Sequence, residues 1–475
     1  MPQSVHLHLR GKTVLLTGGT GFLGKVIVER LLRCAPDIER IYLLIRMKRE
    51  PGQPPISAST RFETEVLPSG AFEVLARAYG DRWPAFARDK IVPIAGDVSQ
   101  PRLGLGDADF ETIASGVDII INGAASVVFD APIDEAFLHN TRSVQHIAEF
   151  ARACRAAVLV HVSTAFVAGQ QTGRIAEGPL TPDLSSTETE AIEQIVATVM
   201  EEAKALQWDG RAIRARLVEA GMTRAKSLGW HDSYTYTKAL GEMMLARHRG
   251  DVPTTVIRPS IIESSLRDPA AGWLENLNVC DPIFVEYGRG RMPDFPFGLD
   301  TIYDIVPADL VANALLAMLP LVTESQAISY YTVGSGSLNP VTGGQIYDIT
   351  YDYFTRHPMH DRRGQPIAAR RLTFPTHERF REMYAGEARR STTVKRLLYL
   401  ADLYETYMHA GCVFETANTQ RLLDDLHEVD RAALDFDVRH IDWRAYLQEI
   451  HIPGLRRHVL REGVRGRAAE VRSHG

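Results

Sequence analysis

The sequence predicts an α/β fold: a doubly wound parallel sheet with a helical insertion, followed by a smaller, mainly helical C-terminal domain. Three observations predict it. Apolar, strand-length runs alternate with helical periodicity through the first part of the chain. A glycine-rich turn stands between the first strand and the first helix. From roughly residue 345 the alternation gives way to helical, arginine-rich sequence. The expected boundaries are 1–345 for the sheet domain, with the insertion near 170–230, and 346–475 for the second domain.

The composition sets the outer limits. The 475 residues are 45% hydrophobic and 24% charged, with net charge −6, as in an ordinary soluble globular protein. That balance argues against general nucleic-acid binding. The four cysteines (Cys34, Cys154, Cys280, Cys412) show neither a CxxC nor a metal-ligand spacing, so neither a disulfide framework nor a metal site is expected. A reducing cytoplasm suits them. The N-terminus lacks a signal-peptide core, and no apolar run approaches the ~20 residues of a membrane span. The best candidate, near 305–322, is broken by Asp309 and Asn313. Peripheral membrane contact and oligomeric state stay open. One stretch departs from the average: residues 351–400 hold eleven Lys/Arg against five Asp/Glu. A solvated basic face is one reading, and a landing surface for a phosphorylated or acidic partner is the other.

The opening segment "GKTVLLTGGTGFLGKVIVERLLR" gives a strand at 13–17, a turn, and a helix from about Phe22 to Arg33. Gly18, Gly21 and Gly24 follow a GxxGxxG spacing. A pyrophosphate needs a tight turn, close backbone approach, and the free amides of a helix N-terminus, here those of Phe22, Leu23 and Gly24. Set between a strand and a helix, these residues predict a Rossmann-type dinucleotide site. The second strand, "IYLLIRMKRE", ends in Arg46, with Lys48 and Arg49 behind it. An NAD site would offer a carboxylate there; cations suit a 2′-phosphate, so NADPH is the expected cofactor. Next, "KIVPIAGDVS" (90–99) ends in Asp97 and Val98, a candidate adenine-edge contact. "VDIIINGAASVVF" (117–129) brings small residues, Ala124 and Ala125 among them, to a strand end, and "AAVLVHVSTAFVAG" (156–169) ends in Ser163 and Thr164. Ligands of such sheets bind at the carboxyl ends of the strands. Thr17, Asp97, Ala125 and Thr164 all fall there.

The stretch "DSYTYTK" (232–238) holds two tyrosines before one lysine. The residues that follow, "ALGEMMLARHR", have helical periodicity, and Asp232 or Ser233 can cap the start. On a helix, Tyr234 and Lys238 share a face because they are four apart; Tyr236 does not. The pair is the YxxxK of the short-chain dehydrogenase/reductase superfamily, and Thr164 lies where that superfamily places a third catalytic hydroxyl.

More closely, the chain resembles the alcohol-forming fatty acyl-CoA reductases, an extended branch of that superfamily, and most of all their bacterial soluble members. The resemblance rests on "GKTVLLTGGTGFLGKV", "IYLLIR", "NGAASVVF", "HVSTAFVAG", "YTYTKALGE", "VIRPSIIES", "DIVPADLVAN", "VGSGSLNP" and "IDWRAYLQEIHIPGL", which together run from residue 11 to about 457. One departure is Phe166 and Ala168 where the family has tyrosine and asparagine. The resemblance implies Pro259, Ser260 and Ile261 as a loop flanking the nicotinamide. It also implies NADPH-dependent reduction of a long-chain acyl-CoA, through a fatty aldehyde, to a primary alcohol of the kind used in wax esters. Acyl carrier protein is the alternative acyl donor, and release of the aldehyde is the alternative end point.

The chemistry sets the roles. Free tyrosine has a pKa of about 10, so Lys238 is expected to pull Tyr234 down, and Thr164 to hold the carbonyl and the oxyanion. A covalent route through Cys280 is rejected, since sequence places no histidine base beside it. A sugar-nucleotide epimerase shares the turn, Thr164 and YxxxK, but keeps NAD bound and tends toward an acidic second strand end. About seventy residues separate Thr164 from Tyr234, too many for a simple connection. They form either a surface insertion or a cap over the acyl chain. The His, Trp and Tyr residues of "RHIDWRAYLQEIH" form either a site or, as the favoured use of Trp443, Tyr446 and Leu447, amphipathic helix packing.

Overall fold

The computed structural model describes residues 4–49, 52–155, 157–180, 187–322 and 327–462. Part of the polar start of the insertion (181–186) and the end of the expected second domain (463–475) lie outside these.

Seven parallel strands make the central sheet: β1 (Thr13–Thr17), β2 (Arg40–Ile45), β3 (Ile91–Ala95), β4 (Ile119–Asn122), β5 (Val158–Val162), β7 (Thr254–Pro259) and β10 (Ser329–Val333). Their order across the sheet is β10-β7-β5-β4-β1-β2-β3. Such a sheet is covered by helices on both faces, so its central strands are buried throughout: β4 and β7 expose none of their residues. The direction of winding reverses between β1 and β4, which register Thr17 against Asn122. A crevice opens at that switch point beyond the strand ends.

Two short parallel pairs tie the rest of the chain to this sheet. One is β6 (Gly173–Ile175) with β11 (Cys412–Phe414); the other is β8 (Ile261–Glu263) with β9 (Ile305–Pro307). The β6–β11 pair joins the segment just after Thr164 to the C-terminal region. A single apolar cluster runs from Leu16 and Ile121 to Tyr404, Met408 and Leu455.

The helix Ala308–Met318 accounts for the apolar run near 305–322. It is wholly buried, and its two polar residues serve as internal anchors. Asp309 accepts from the amides of Leu266, Arg267 and Asp268. Asn313 accepts from Arg30 and donates to the carbonyl of Asp435. No helix among the described residues is long and apolar enough to cross a membrane.

The insertion holds two antiparallel helices, α1 (Glu188–Leu206) and α2 (Gly210–Ser227), which pack against α3 (Ser233–His248). From Gly343 the chain is mainly helical. Its longest described helix, α4 (Thr392–Met408), runs back toward the strand ends.

Candidate active site

The glycine turn meets the steric demands of a pyrophosphate. Gly18 has φ +77°, and a Cβ there would lie 2.6 Å from the carbonyl carbon of Gly123. A Cβ on Gly24 would collide with the carbonyl oxygen of Gly18. Gly21 is the N-cap of the helix Phe22–Cys34, and no side chain caps it, so the amides of Phe22, Leu23 and Gly24 are left for a ligand. Thr17 ends β1 at the crevice. Its buried hydroxyl donates to Asn122 Oδ1 at 2.7 Å and accepts from the amide of Ala124 at 3.1 Å, fixing the crevice wall.

Ala124 and Ala125 open the loop after β4, with Ala125 exposed. Asn140 holds that loop: its Oδ1 accepts from the amide of Ser126 at 2.8 Å, and its Nδ2 donates to the Ser126 carbonyl and to Thr237 of α3. Asn140 was missed in the sequence because its partners are 14 and 97 residues away. Asp97 accepts from the amide and hydroxyl of Ser99, which shapes the turn beyond β3. The Val98 carbonyl is bonded by His146 Nδ1 at 3.0 Å.

Arg46 and Arg49 are exposed, and neither has an ion-pair partner among the described residues. Arg46 and Asp97 both act on His139: burial and the Arg46 charge push that imidazole's pKa down, while Asp97 opposes them. The second and third strand ends therefore converge on one spot. Arg61 adds a further cation there, donating to the Arg46 carbonyl at 2.7 Å while paired with Glu65.

The second cluster surrounds α3. Asp232 is its N-cap, accepting from the amide of Thr235 at 2.7 Å. The helix separates the two tyrosines by face. Tyr236 is fully buried and donates to Glu188 Oε2 of α1 at 2.7 Å, while Glu188 is paired with Arg224 of α2. The described helices of the insertion therefore pack on the Tyr236 side, around Ile133, Phe137 and Trp230. Tyr234, on the other face, lies beside Thr164, whose side chain acts on the phenol. Thr164 is itself loosely held: its Oγ1 donates to the Pro259 carbonyl at 3.5 Å and accepts from the Phe166 amide at 3.3 Å. Such long contacts suit a hydroxyl that retargets to a bound carbonyl.

Lys238 Nζ donates to the Val162 carbonyl at 2.7 Å. Burial lowers its pKa from 10.5 to about 8, against the charge of Glu242. The Lys238 effect expected on Tyr234 is absent. Tyr234 is pushed up, first by burial and then by the Asp232 carboxylate, with the Thr164 side chain opposing. The reason is geometric: the ammonium points to the Val162 carbonyl of β5. Glu242, one turn beyond Lys238, is gripped by Arg258 at 2.5 Å and by Ser163 at 2.5 Å, which fixes α3 against β5 and β7. At the end of β7, Pro259 lies beside Thr164. The amide of Ser260 donates to the Val333 carbonyl, and that of Ile261 to the Asp304 carbonyl.

The C-terminal region meets the Tyr234 side, where a cap formed by the insertion was one of the two expectations. Phe129, Tyr404 and Tyr407 surround the Tyr234 side: Phe129 is 5.7 Å from the Tyr234 ring, 6.0 Å from Tyr404 and 5.1 Å from Tyr407, centroid to centroid. Tyr407 also meets Phe166 edge-on at 5.2 Å and donates to Asp232 Oδ2 at 2.5 Å. Tyr404 and Tyr407 lie on α4, three apart and so on one face. Cys280 is no nucleophile here. Burial, Glu263 and Asp281 all push its thiol well above its ordinary pKa, so it stays protonated.

Comparison with known proteins bears on the family and the fold. An NAD-binding family model described as "Male sterility protein" matches residues 16–315, and a second with the same description matches 380–462. "Fatty acyl-CoA reductase 2, chloroplastic" of Arabidopsis thaliana is 35% identical, covering 95% of this chain and 79% of that protein. "Alcohol-forming fatty acyl-CoA reductase" of Simmondsia chinensis is 30% identical, covering 95% and 98%. Among solved structures, the terminal R domain of the myxalamid PKS-NRPS pathway is similar at TM-score 0.63 and 19% identity, over 94% of this chain and 91% of that one. An R domain of a Mycobacterium tuberculosis nonribosomal peptide synthetase gives 0.58 and 22%, over 94% and 91%. The structures speak for the fold, and the sequences speak for the family. This chain belongs to the fatty acyl-CoA reductase family of NAD(P)-binding oxidoreductases.

Proposed function

We propose that the protein reduces long-chain fatty acyl-CoA to a primary alcohol with NADPH, through an aldehyde held in the same site and with no covalent acyl-enzyme. The observation that carries this reading is the placement of Tyr234 beside Thr164, with Lys238 one turn along the same face, in a chain of this family.

NADPH fits the residues present. Gly18, Gly21 and Gly24, with the amides of Phe22, Leu23 and Gly24, would take the pyrophosphate, and Arg46 with Arg49 the 2′-phosphate. Asp97 and Val98 would border the adenine. Ala124 and Ala125 would line the crevice, Lys238 would take the ribose, and Pro259, Ser260 and Ile261 would flank the nicotinamide. When bound, the dinucleotide supplies the hydride. The chain's own residues do the rest. Thr164 and Tyr234 donate to the thioester carbonyl and stabilise the oxyanion that develops. Tyr234 is held protonated by burial, so it enters as the acid and gives its proton to that oxygen. Lys238, turned from Val162 toward the ribose, then stabilises the tyrosinate. The hemithioacetal breaks its C–S bond, releasing CoA thiol and leaving an aldehyde, whose carbonyl occupies the same pair of donors for the second reduction.

The basic stretch 351–400 supports a phosphate-bearing carrier. Arg362, Arg363 and Arg370 have no ion-pair partner among the described residues, whereas Arg371, Arg379, Arg381 and Arg396 are paired with Asp348, Glu382, Asp402 and Glu286. The domain division supported by these roles is 1–345 for the cofactor and 346–475 for the acyl substrate. The deciding experiment incubates the purified protein with NADPH and a panel of acyl-CoAs and identifies products by gas chromatography. Fatty alcohol is expected. Aldehyde alone would favour the aldehyde-releasing reading, and neither product would sink both.

A further inference from the structure

The sequence offers no metal-ligand spacing, yet the fold gathers one donor set far from the glycine turn in sequence. Glu263 ends β8, Asp281 opens the helix Asp281–Gly288, and His451 lies in the C-terminal segment. Their side chains are 2%, 0% and 1% exposed. His451 Nε2 lies 3.1 Å from Asp281 Oδ1 and 4.0 Å from Glu263 Oε2, and one ligand atom from each of the three residues falls within 4.8 Å of the other two.

These three atoms also share a deficit. Glu263 Oε2, Asp281 Oδ1 and His451 Nε2 are buried without a hydrogen-bond partner of acceptable geometry, although, against burial, the 3.1 Å approach of Asp281 and the Glu263 charge raise the His451 pKa. The opposite atom of each group is satisfied. Glu263 Oε1 accepts from the Cys280 amide at 3.1 Å, Asp281 Oδ2 from the Asn278 amide at 2.6 Å, and His451 Nδ1 is bonded to Ser264 Oγ at 3.0 Å. Metal sites are built this way: outer hydrogen bonds fix the tautomer and aim the free donor atoms inward. Two carboxylates crowded in the core repel, and burial with the Asp281 charge raises the pKa of Glu263. A 2+ charge cancels both anions while leaving the imidazole neutral. Donors about 2.0–2.2 Å from a tetrahedral ion sit roughly 3.3–3.6 Å apart, and the observed 3.1 and 4.0 Å bracket that range.

We propose that Glu263, Asp281 and His451 bind one divalent transition-metal cation, Zn²⁺ being the first to try. Its role is structural. It pins the C-terminal segment, whose Tyr446 already bonds the Ser264 carbonyl at 2.7 Å, onto the strand that continues from Ser260 and Ile261. The set of one imidazole and two carboxylates suits Zn²⁺ or Mn²⁺ rather than Ca²⁺ or a soft ion.

The test uses the full chain, stripped with a chelator, reloaded with Zn²⁺ or Mn²⁺, desalted and counted by inductively coupled plasma mass spectrometry. About one equivalent per chain should remain, with a raised Tm. Glu263→Gln and His451→Gln, checked for folding by circular dichroism, should lose both the metal and the Tm increment. Mn²⁺-loaded wild type should show ¹⁴N coupling from one imidazole by electron spin echo, a readout that needs no variant. Retention below about a tenth of an equivalent, both as purified and after reloading, would mean that protons hold the cluster, and would overturn the proposal. Full retention by both variants, or no ¹⁴N coupling, would overturn it as well.

Discussion

At the scale of single residues, Arg46 and Lys238 each carry a charge that can be tested alone. Arg46 is exposed at the end of β2 with no ion-pair partner among the described residues, so removing it breaks nothing in the fold. Arg46→Ala should weaken NADPH while leaving NADH nearly unchanged, because a charge-assisted bond to the 2′-phosphate is the interaction lost. Comparing kcat/KM for the two cofactors measures it, and an equal loss for both would refute the assignment. Lys238 makes a pH prediction. Its pKa in the free protein is lowered to about 8 by burial, so the ammonium is present below that value and lost as the pH rises through it. Tyr234, pushed upward, stays protonated across the same window. The alkaline limb of kcat/KM, which reports the free enzyme, should therefore fall near pH 8 and belong to Lys238. A plateau extending to about pH 9.5 would show that Lys238 does not act as a cation in the free enzyme.

At the scale of elements, the register of α3 separates two tyrosines that can be tested against each other. Asp232 at its N-cap and the apolar residues after Lys238 made the helix and its register readable in the sequence, and the structure places Tyr234 and Tyr236 on opposite faces accordingly. Tyr234→Phe should remove most turnover and leave NADPH binding near normal. Tyr236→Phe should keep activity within a few-fold but lower stability by about 1–3 kcal/mol, since Glu188 loses a buried partner. Turnover and denaturant melts on both variants separate these effects, and the reverse pattern would show the register to be wrong. The glycine turn, the β2 cations and the strand ends were legible because each is a local pattern set between a strand and a helix. Asn140, Tyr407 and His451 were not, because their meaning comes from partners on other elements. The Tyr407–Asp232 bond spans 175 residues, and no periodicity encodes it. Thr17 was legible as a strand end, but not the bond its hydroxyl makes to Asn122 on the neighbouring strand.

At the scale of the whole molecule, one site must serve two reductions. The described residues contain a single glycine-turn crevice and a single Tyr–Lys pair aligned with Thr164, and the C-terminal helix α4 closes the Tyr234 side with Phe129, Tyr404 and Tyr407. The oxidised dinucleotide must therefore leave, and a fresh one enter, while the aldehyde waits. Each buried CH₂ is worth about 0.8 kcal/mol, so an apolar chain of about a dozen carbons should rarely escape during that exchange, whereas a short chain should leak. We expect two NADPH consumed per CoA released with long acyl-CoAs, and a ratio that falls toward one as the chain shortens. Added long-chain aldehyde should be reduced directly by the same protein. Parallel assays of NADPH loss and free thiol measure the ratio. Tyr234→Phe should impair both reductions together, because both carbonyls use the same proton donor. A variant that lost aldehyde reduction but kept full thioester reduction would demand a second active site, and the single-crevice reading would fall.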